Sequence, residues 1–181
     1  MQDTTAGRGR AGRLARRSGA TSDLAARGEG LPGPADLVGL GFRGWVCGYR
    51  TGDLGCWERV WSLYSSVLEP KPAEAAVQCL AAWVKALRGA SRHDLDVRPL
   101  DACGFCRDEC LAISMIAACQ HNTCPAMRAC AFALIDTAHV EEVLHHTGTY
   151  ALTLRSLDKV VPPQWIVNAN AFIDAAPVRL H

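Results

Sequence analysis

From Leu54 onward, apolar residues recur at three- and four-residue steps, the spacing that gathers side chains on one face of an α-helix. The first such stretch covers about residues 54 to 68. Leu54, Trp57, Val60, Trp61, Tyr64 and Val67/Leu68 form its stripe, Asp53 stands at the N-cap, and Pro70 stops it. A second helix takes Pro72 in its first turn, carries Val77, Leu80, Ala81, Val84 and Leu87 on one face, and has Gly89 placed for a C-terminal cap. Residues 91 to 99 read as a polar connector. A third helix spans about 102 to 120; its latter half is apolar on every side, which predicts the central, most buried position. Pro125 opens a fourth, with Cys124 at the cap position and Met127, Cys130, Ala131, Leu134 and Ile135 facing inward. A fifth starts at Asp136 or Thr137, carries Glu141 and Glu142 in its early turns, and has Gly148 near its end. Residues 149 to 158 alternate in polarity, but a strand without a partner does not persist, so they are assigned to helix. Pro162 and Pro163 break the chain, and residues 164 to 175 form a last short helix. There is no internal repeat. The pattern predicts an all-α protein: a single bundle of five or six helices.

The periodicity fades upstream. Residues 37 to 53 set bulky apolar residues between glycines, and Gly39, Gly41 and Gly44 spell G-x-G-x-x-G. That motif binds dinucleotides only after a strand and before a helix; here Pro32 and Pro34 precede it, and no acidic residue follows on a second strand. The segment is read as an ordered loop or short helix whose Trp45 and Tyr49 pack onto the bundle. Residues 1 to 36 hold no aromatic residue, are rich in Gly, Ala and Arg, and end in Leu-Pro-Gly-Pro-Ala-Asp, which reads as a disordered tail. The organisation is therefore a tail over 1–36 and a helical domain over 37–181.

Charge changes little in this picture. The tail carries six arginines and four acids, and the rest of the chain 13 basic and 14 acidic residues. The near-neutral body argues against a nucleic-acid partner. No apolar run reaches the ~20 residues that span a bilayer, and no compact apolar segment near the start reads as a secretory signal. Nine cysteines, an odd number, fit reduced thiols in a cytoplasmic protein, most of them serving as small buried hydrophobes.

The sharpest chemical feature is Cys103-Gly-Phe-Cys106-Arg-Asp-Glu-Cys110. Thiolates bind zinc and iron–sulfur clusters, and C-x-x-C is the usual chelating step. On a straight helix Cys103 and Cys110 would lie ~10 Å apart along the axis, too far for one ion, so the chain must leave the helix at Cys103, which Gly104 permits. A fourth ligand is unidentified. The same C-x-x-C at a helix start reads alternatively as a redox dithiol, although no strand precedes it as in a thioredoxin-like unit. Glu142 and His145 make one E-x-x-H step where a di-iron bundle needs two. His139, Glu142 and His146 therefore read as a solvated stripe, with His145 and His146 near the negative end of their helix. Residues 140 to 157 have the outline of a helix-turn-helix about Gly148, with only Arg155 and Lys159 for phosphates.

No nucleophile elbow, phosphate loop or H-E-x-x-H is present. The leading expectation is a non-enzymatic helical interaction or regulatory module. Its partner is a protein, a second copy of itself included, met through Trp-bearing helix faces. The alternatives are a thiolate metal or cluster protein built on Cys103, Cys106 and Cys110, and a helix-turn-helix binder of nucleic acid.

Overall fold

The helical spacing is realised as helix wherever it is clear in the sequence. The computed structural model describes residues 31–167, and these form α1 (Pro34–Thr51), α2 (Leu54–Ser65), α3 (Pro70–Ala90), α4 (Arg107–Gln120), α5 (Cys124–Leu134) and α6 (Val140–Ser156). Short 3₁₀ turns lie at Thr137–His139 and Pro163–Trp165. Among the described residues no strand forms; Ser91 and Ile135 make one isolated bridge. Residues 1–30 of the expected tail, and 168–175 of the expected last helix, lie outside the described residues.

Helix starts and stops have local causes. Asp53 accepts a bond from the Gly55 amide at 2.8 Å and so caps α2. Proline occupies the first turns of α1, α3 and α5, where its missing N–H costs nothing. Several boundaries differ from the sequence reading. Helix α1 starts at Pro34, inside the expected 1–36 tail, and α2 ends at Ser65 rather than near 68. Helix α6 starts at Val140 after a 3₁₀ turn rather than at Asp136 or Thr137, and residues 164–167 form the end of a 3₁₀ turn and non-helical chain rather than α-helix. Gly89 does not end α3, which runs on to Ala90. The third expected helix begins at Arg107 rather than near 102, because the Glu109 carboxylate reaches back to the Cys106 amide at 2.7 Å and fixes the start there. The sixth helix runs unbroken through Gly148, so the expected turn does not form and the helix-turn-helix outline is lost.

Helix α1 is the largest departure from the sequence reading. Its four glycines each cost about 1 kcal/mol of helix propensity relative to alanine, which is why residues 37 to 53 read as an ordered loop or, at most, a short helix. Packing overrides this cost. Leu37, Val38 and Phe42 are fully buried, and the glycines let neighbouring side chains approach the helix backbone. A Cβ on Gly44 would lie 2.4 Å from Val60 Cγ2, one on Gly48 2.3 Å from Trp57 Nε1, and one on Gly39 2.3 Å from Phe105 Cε1. The G-x-G-x-x-G pattern is thus a surface for close packing.

Helix α2 packs on α1 and α3, α3 lies along α6, and α4 contacts α1, α5 and α6 from the centre. Residues 111 through 118 are all fully buried, as the all-round apolar sequence predicts. The α2 stripe is corrected: Cys56, Val60, Leu63 and Tyr64 face the core, while Leu54 and Trp61 point out. A chain of hydroxyls crosses the bundle. Tyr64 donates to the Leu37 carbonyl at 2.9 Å and therefore receives the Tyr150 hydroxyl. Trp83, stacked 5.4 Å from Tyr150, donates to Thr147 Oγ1 at 2.9 Å. Burial pushes both phenols well above their ordinary range, so they stay protonated and act as hydrogen-bonding groups.

Two glycine substitutions separate packing from propensity. Gly44→Ala should destabilise the protein by about 1–3 kcal/mol, because Val60 must move. Gly148→Ala, with nothing within 4 Å of the new Cβ, should stabilise it by about 0.5–1 kcal/mol. Urea unfolding followed by circular dichroism measures both; a loss of stability in Gly148→Ala would contradict a continuous α6.

Candidate functional site

Between α3 and α4 the chain runs through residues 91–106 without regular structure. The sequence reading of its first part as a polar connector is incomplete, since Leu95 and Val97 are in the core. The acids in the first turn of α4 hold this segment. Asp108 accepts the Asp96 amide at 3.0 Å, and Glu109 accepts the Arg98 amide at 3.2 Å and the Cys106 amide at 2.7 Å. Both carboxylates also sit where the helix dipole favours negative charge.

Opposite them stands Arg43 of α1, fully buried. Its Nε lies 2.6 Å from Glu109 Oε1 and its Nη2 3.1 Å from Oε2, a two-pronged ion pair. Nη1 donates to the carbonyls of Ala102, at 2.7 Å, and Pro99, and Nη2 donates to that of Gly104. These bonds use all five N–H donors of the guanidinium. The Phe105 ring covers its face at 5.5 Å and packs edge-on against Trp165. Gly104 has φ +69°, a left-handed conformation that turns its carbonyl into the cluster at little cost. Because every donor is occupied and Glu109 accepts four bonds, this centre is a clamp rather than a site for chemistry on a ligand. The sequence reading singles out neither residue. The signal is there, however: Arg43 is the one charged residue between Asp36 and Arg50, inside an otherwise apolar and glycine-rich run.

The clamp determines where the predicted thiol cluster goes. The chain is non-helical at Cys103, where the periodicity reads as helix from about 102 and only the metal reading required a departure. Cys103 is exposed, Cys106 donates its S–H to the Asp96 carbonyl at 3.2 Å, and Cys110 is partly buried on α4. Among the described residues no three His, Cys, Asp or Glu side chains are grouped to hold a metal ion, so the zinc or iron–sulfur site expected at Cys103, Cys106 and Cys110 is not assembled. The segment is committed to Arg43, which takes its carbonyls, and its sulfurs do not converge on a common centre. Burial pushes the Cys106 thiol up to about 11, opposed by the Glu109 amide and reinforced by the Glu109 carboxylate, which further disfavours the thiolate a metal needs.

His139, Glu142 and His146 share a surface groove with Ala82, Lys85 and Gly89 of α3. His145 and His146 lie in the first half of α6, not at its negative end, because the helix continues to Ser156. All nine cysteines are free thiols, but only Cys56 and Cys130 are buried and Cys103 and Cys124 are exposed, so the expectation that most are buried filler is not met. The sequence reading does not pair Cys47 with Cys56, yet their sulfurs lie 3.3 Å apart. The chain matches no known protein family, no curated protein and no solved structure.

Arg43→Met should cost about 3–5 kcal/mol in urea unfolding, because it strands a buried carboxylate. Adding Glu109→Met should recover part of that loss but not all, since the bonds from Arg43 to the 99–104 carbonyls stay lost. The Cys106 thiol gives a pH test. Its folded pKa is raised, so its contribution to stability is complete below the unfolded value near 9.0 and is lost as pH rises toward about 11. Below pH 9, iodoacetamide should therefore label Cys103 well before Cys106; equal rates would contradict this assignment.

Proposed function

We propose that the chain is a non-enzymatic helical interaction module that works in a reducing, cytoplasmic setting and docks a protein partner, a second copy of itself first among them. The observation that carries this reading is the outward face of α2. Leu54 is 65% exposed and Trp61 43% exposed, two helical turns apart on one side, with Glu58 between them. A large aromatic side chain held on a rigid helix is the residue type that most often anchors a protein interface. The buried polar groups support the same reading from the inside, because Arg43, Glu109, Tyr64, Tyr150, Trp83 and Thr147 are engaged with one another or with backbone. No helix of the described residues is long and apolar enough to cross a membrane.

Sedimentation or light scattering over a concentration series tests the proposal. The reduced chain should self-associate, and Trp61→Ala should weaken the association by about 2 kcal/mol or more, roughly 30-fold in Kd, with unchanged circular dichroism. A chain that stays monomeric up to millimolar concentration, with tryptophan fluorescence insensitive to dilution, would exclude the self-associating form. Wild-type association that Trp61→Ala leaves intact would move the interface away from α2.

A further inference from the structure

The junction of α1 and α2 brings two thiols together. Cys47 sits in the last turns of α1 and Cys56 in the first turn of α2, and the Cys56 S–H points at the Cys47 sulfur across 3.3 Å. The turn between them is well held. Gly52 takes φ +71° and its amide bonds the Gly48 carbonyl at 2.8 Å. The Thr51 hydroxyl donates to the Cys47 carbonyl at 2.9 Å and accepts the Asp53 amide at 3.2 Å. Asp53 in turn caps α2. The two sulfurs are therefore neighbours because both helix ends are fixed. They are also unequal: Cys47 is partly exposed, whereas Cys56 is 1% exposed.

We propose that Cys47 and Cys56 form a redox-active dithiol that a small hydroperoxide oxidises to an intramolecular disulfide. Cys47, the accessible sulfur and the acceptor of the Cys56 S–H, is the attacking group. As its thiolate it forms an S–O bond to hydrogen peroxide while the O–O bond breaks, and the departing hydroxide takes a proton to become water. Cys47 is then a sulfenic acid. Cys56 next gives its proton to the sulfenic oxygen and its sulfur attacks Cys47, so that an S–S bond forms, the S–O bond breaks and a second water leaves. Two thiols lose one electron each and the peroxide gains two. The sulfurs must close from 3.3 Å to about 2.05 Å as the bond forms. Burial, followed by the bond to Cys47, pushes the Cys56 thiol up and keeps it protonated until Cys47 has reacted, the order expected of a resolving cysteine. Neither the outer face of α2 nor a partner is involved, so the dithiol stands or falls apart from the docking reading.

The test uses the full reduced chain treated with less than one equivalent of hydrogen peroxide, then alkylated and mapped by mass spectrometry. The expected result is a Cys47–Cys56 cross-linked peptide, formed before other cysteines react, with a loss of two hydrogens per chain that dithiothreitol reverses. The stapled turn should raise Tm by several degrees. In Cys56→Ser, a dimedone adduct should accumulate on Cys47, and in Cys47→Ser oxidation of Cys56 should be slow. The more exposed Cys103 and Cys124 are the internal controls. If peroxide oxidises them first while Cys47 and Cys56 stay open to alkylation, the proposal fails. The wild-type map decides the matter even where a variant does not fold.

Discussion

A guanidinium cannot give up its proton inside a protein, so a fully buried arginine must be surrounded by acceptors. Arg43 meets that requirement by drawing in Glu109 from α4 and three carbonyls from the segment before it. One side chain thereby joins the first helix to the central one and organises residues 99–104, which have no regular secondary structure of their own. Glu109 serves two ends: the oxygen that faces Arg43 Nη2 also accepts the Cys106 amide and sets the start of α4. The ion pair need not be the main source of stability, since a buried pair offsets its desolvation only when fully bonded. What it supplies is specificity, because any other seating of α1 on α4 would leave a charge or several carbonyls without partners.

This constraint explains why α1 is built from residues that resist helix formation. To seat Arg43 against α4 while α2 packs on its other side, α1 must come close to its neighbours on more than one face. Phe105 lies over Gly39, Val60 over Gly44 and the Trp57 indole over Gly48, positions where a methyl group would collide. The propensity lost at the glycines is offset by the burial of Leu37, Val38, Phe42 and Val46. The same close approach of α1 and α2 sets the Cys47 and Cys56 sulfurs side by side. The ion pair follows from the seating of α1 on α4, and the thiol pair from its crossing with α2.

The interior leaves little polar capacity unused. The tyrosine and tryptophan network joins α1, α2, α3 and α6, and Gln120 ties α4 to the backbone of Ala151, Lys159 and Val161. Among the described residues the exceptions are Trp45 and Trp57, whose enclosed indole N–H groups meet no acceptor; the two rings pack on each other 6.0 Å apart and serve as apolar filling between α1 and α2. Groups engaged in holding helices together are poor candidates for binding a substrate. Leu54 and Trp61 on α2 and the partly exposed Cys47 at the α1–α2 turn take no part in this network. The proposed docking face and the proposed dithiol both lie outside it.

Much of the architecture is written in local pattern. Asp53 before an apolar stripe, prolines at helix starts and the all-apolar second half of α4 are short-range signals, and α2, α3, α4, α5 and α6 follow from them. The start of α4 is less legible: the pattern reads as helix from about 102, and the left-handed Gly104 and the Glu109 bond to the Cys106 amide move the start to Arg107. Three things depend on tertiary contact. Helix α1 forms against its own propensity, because the gain from burial arises only when α2 and α4 are in place. Leu54 and Trp61 match the α2 period as well as Val60 and Tyr64 do, and only the position of α1 and α3 decides which of them face inward. The meeting of thiols has the same origin. Nearness in sequence points to Cys103, Cys106 and Cys110, whereas the sulfurs that meet, Cys47 and Cys56, are brought together by a helix crossing that no local period encodes. Sequence periodicity reports the face each helix must bury; which residues then meet across helices is settled by packing.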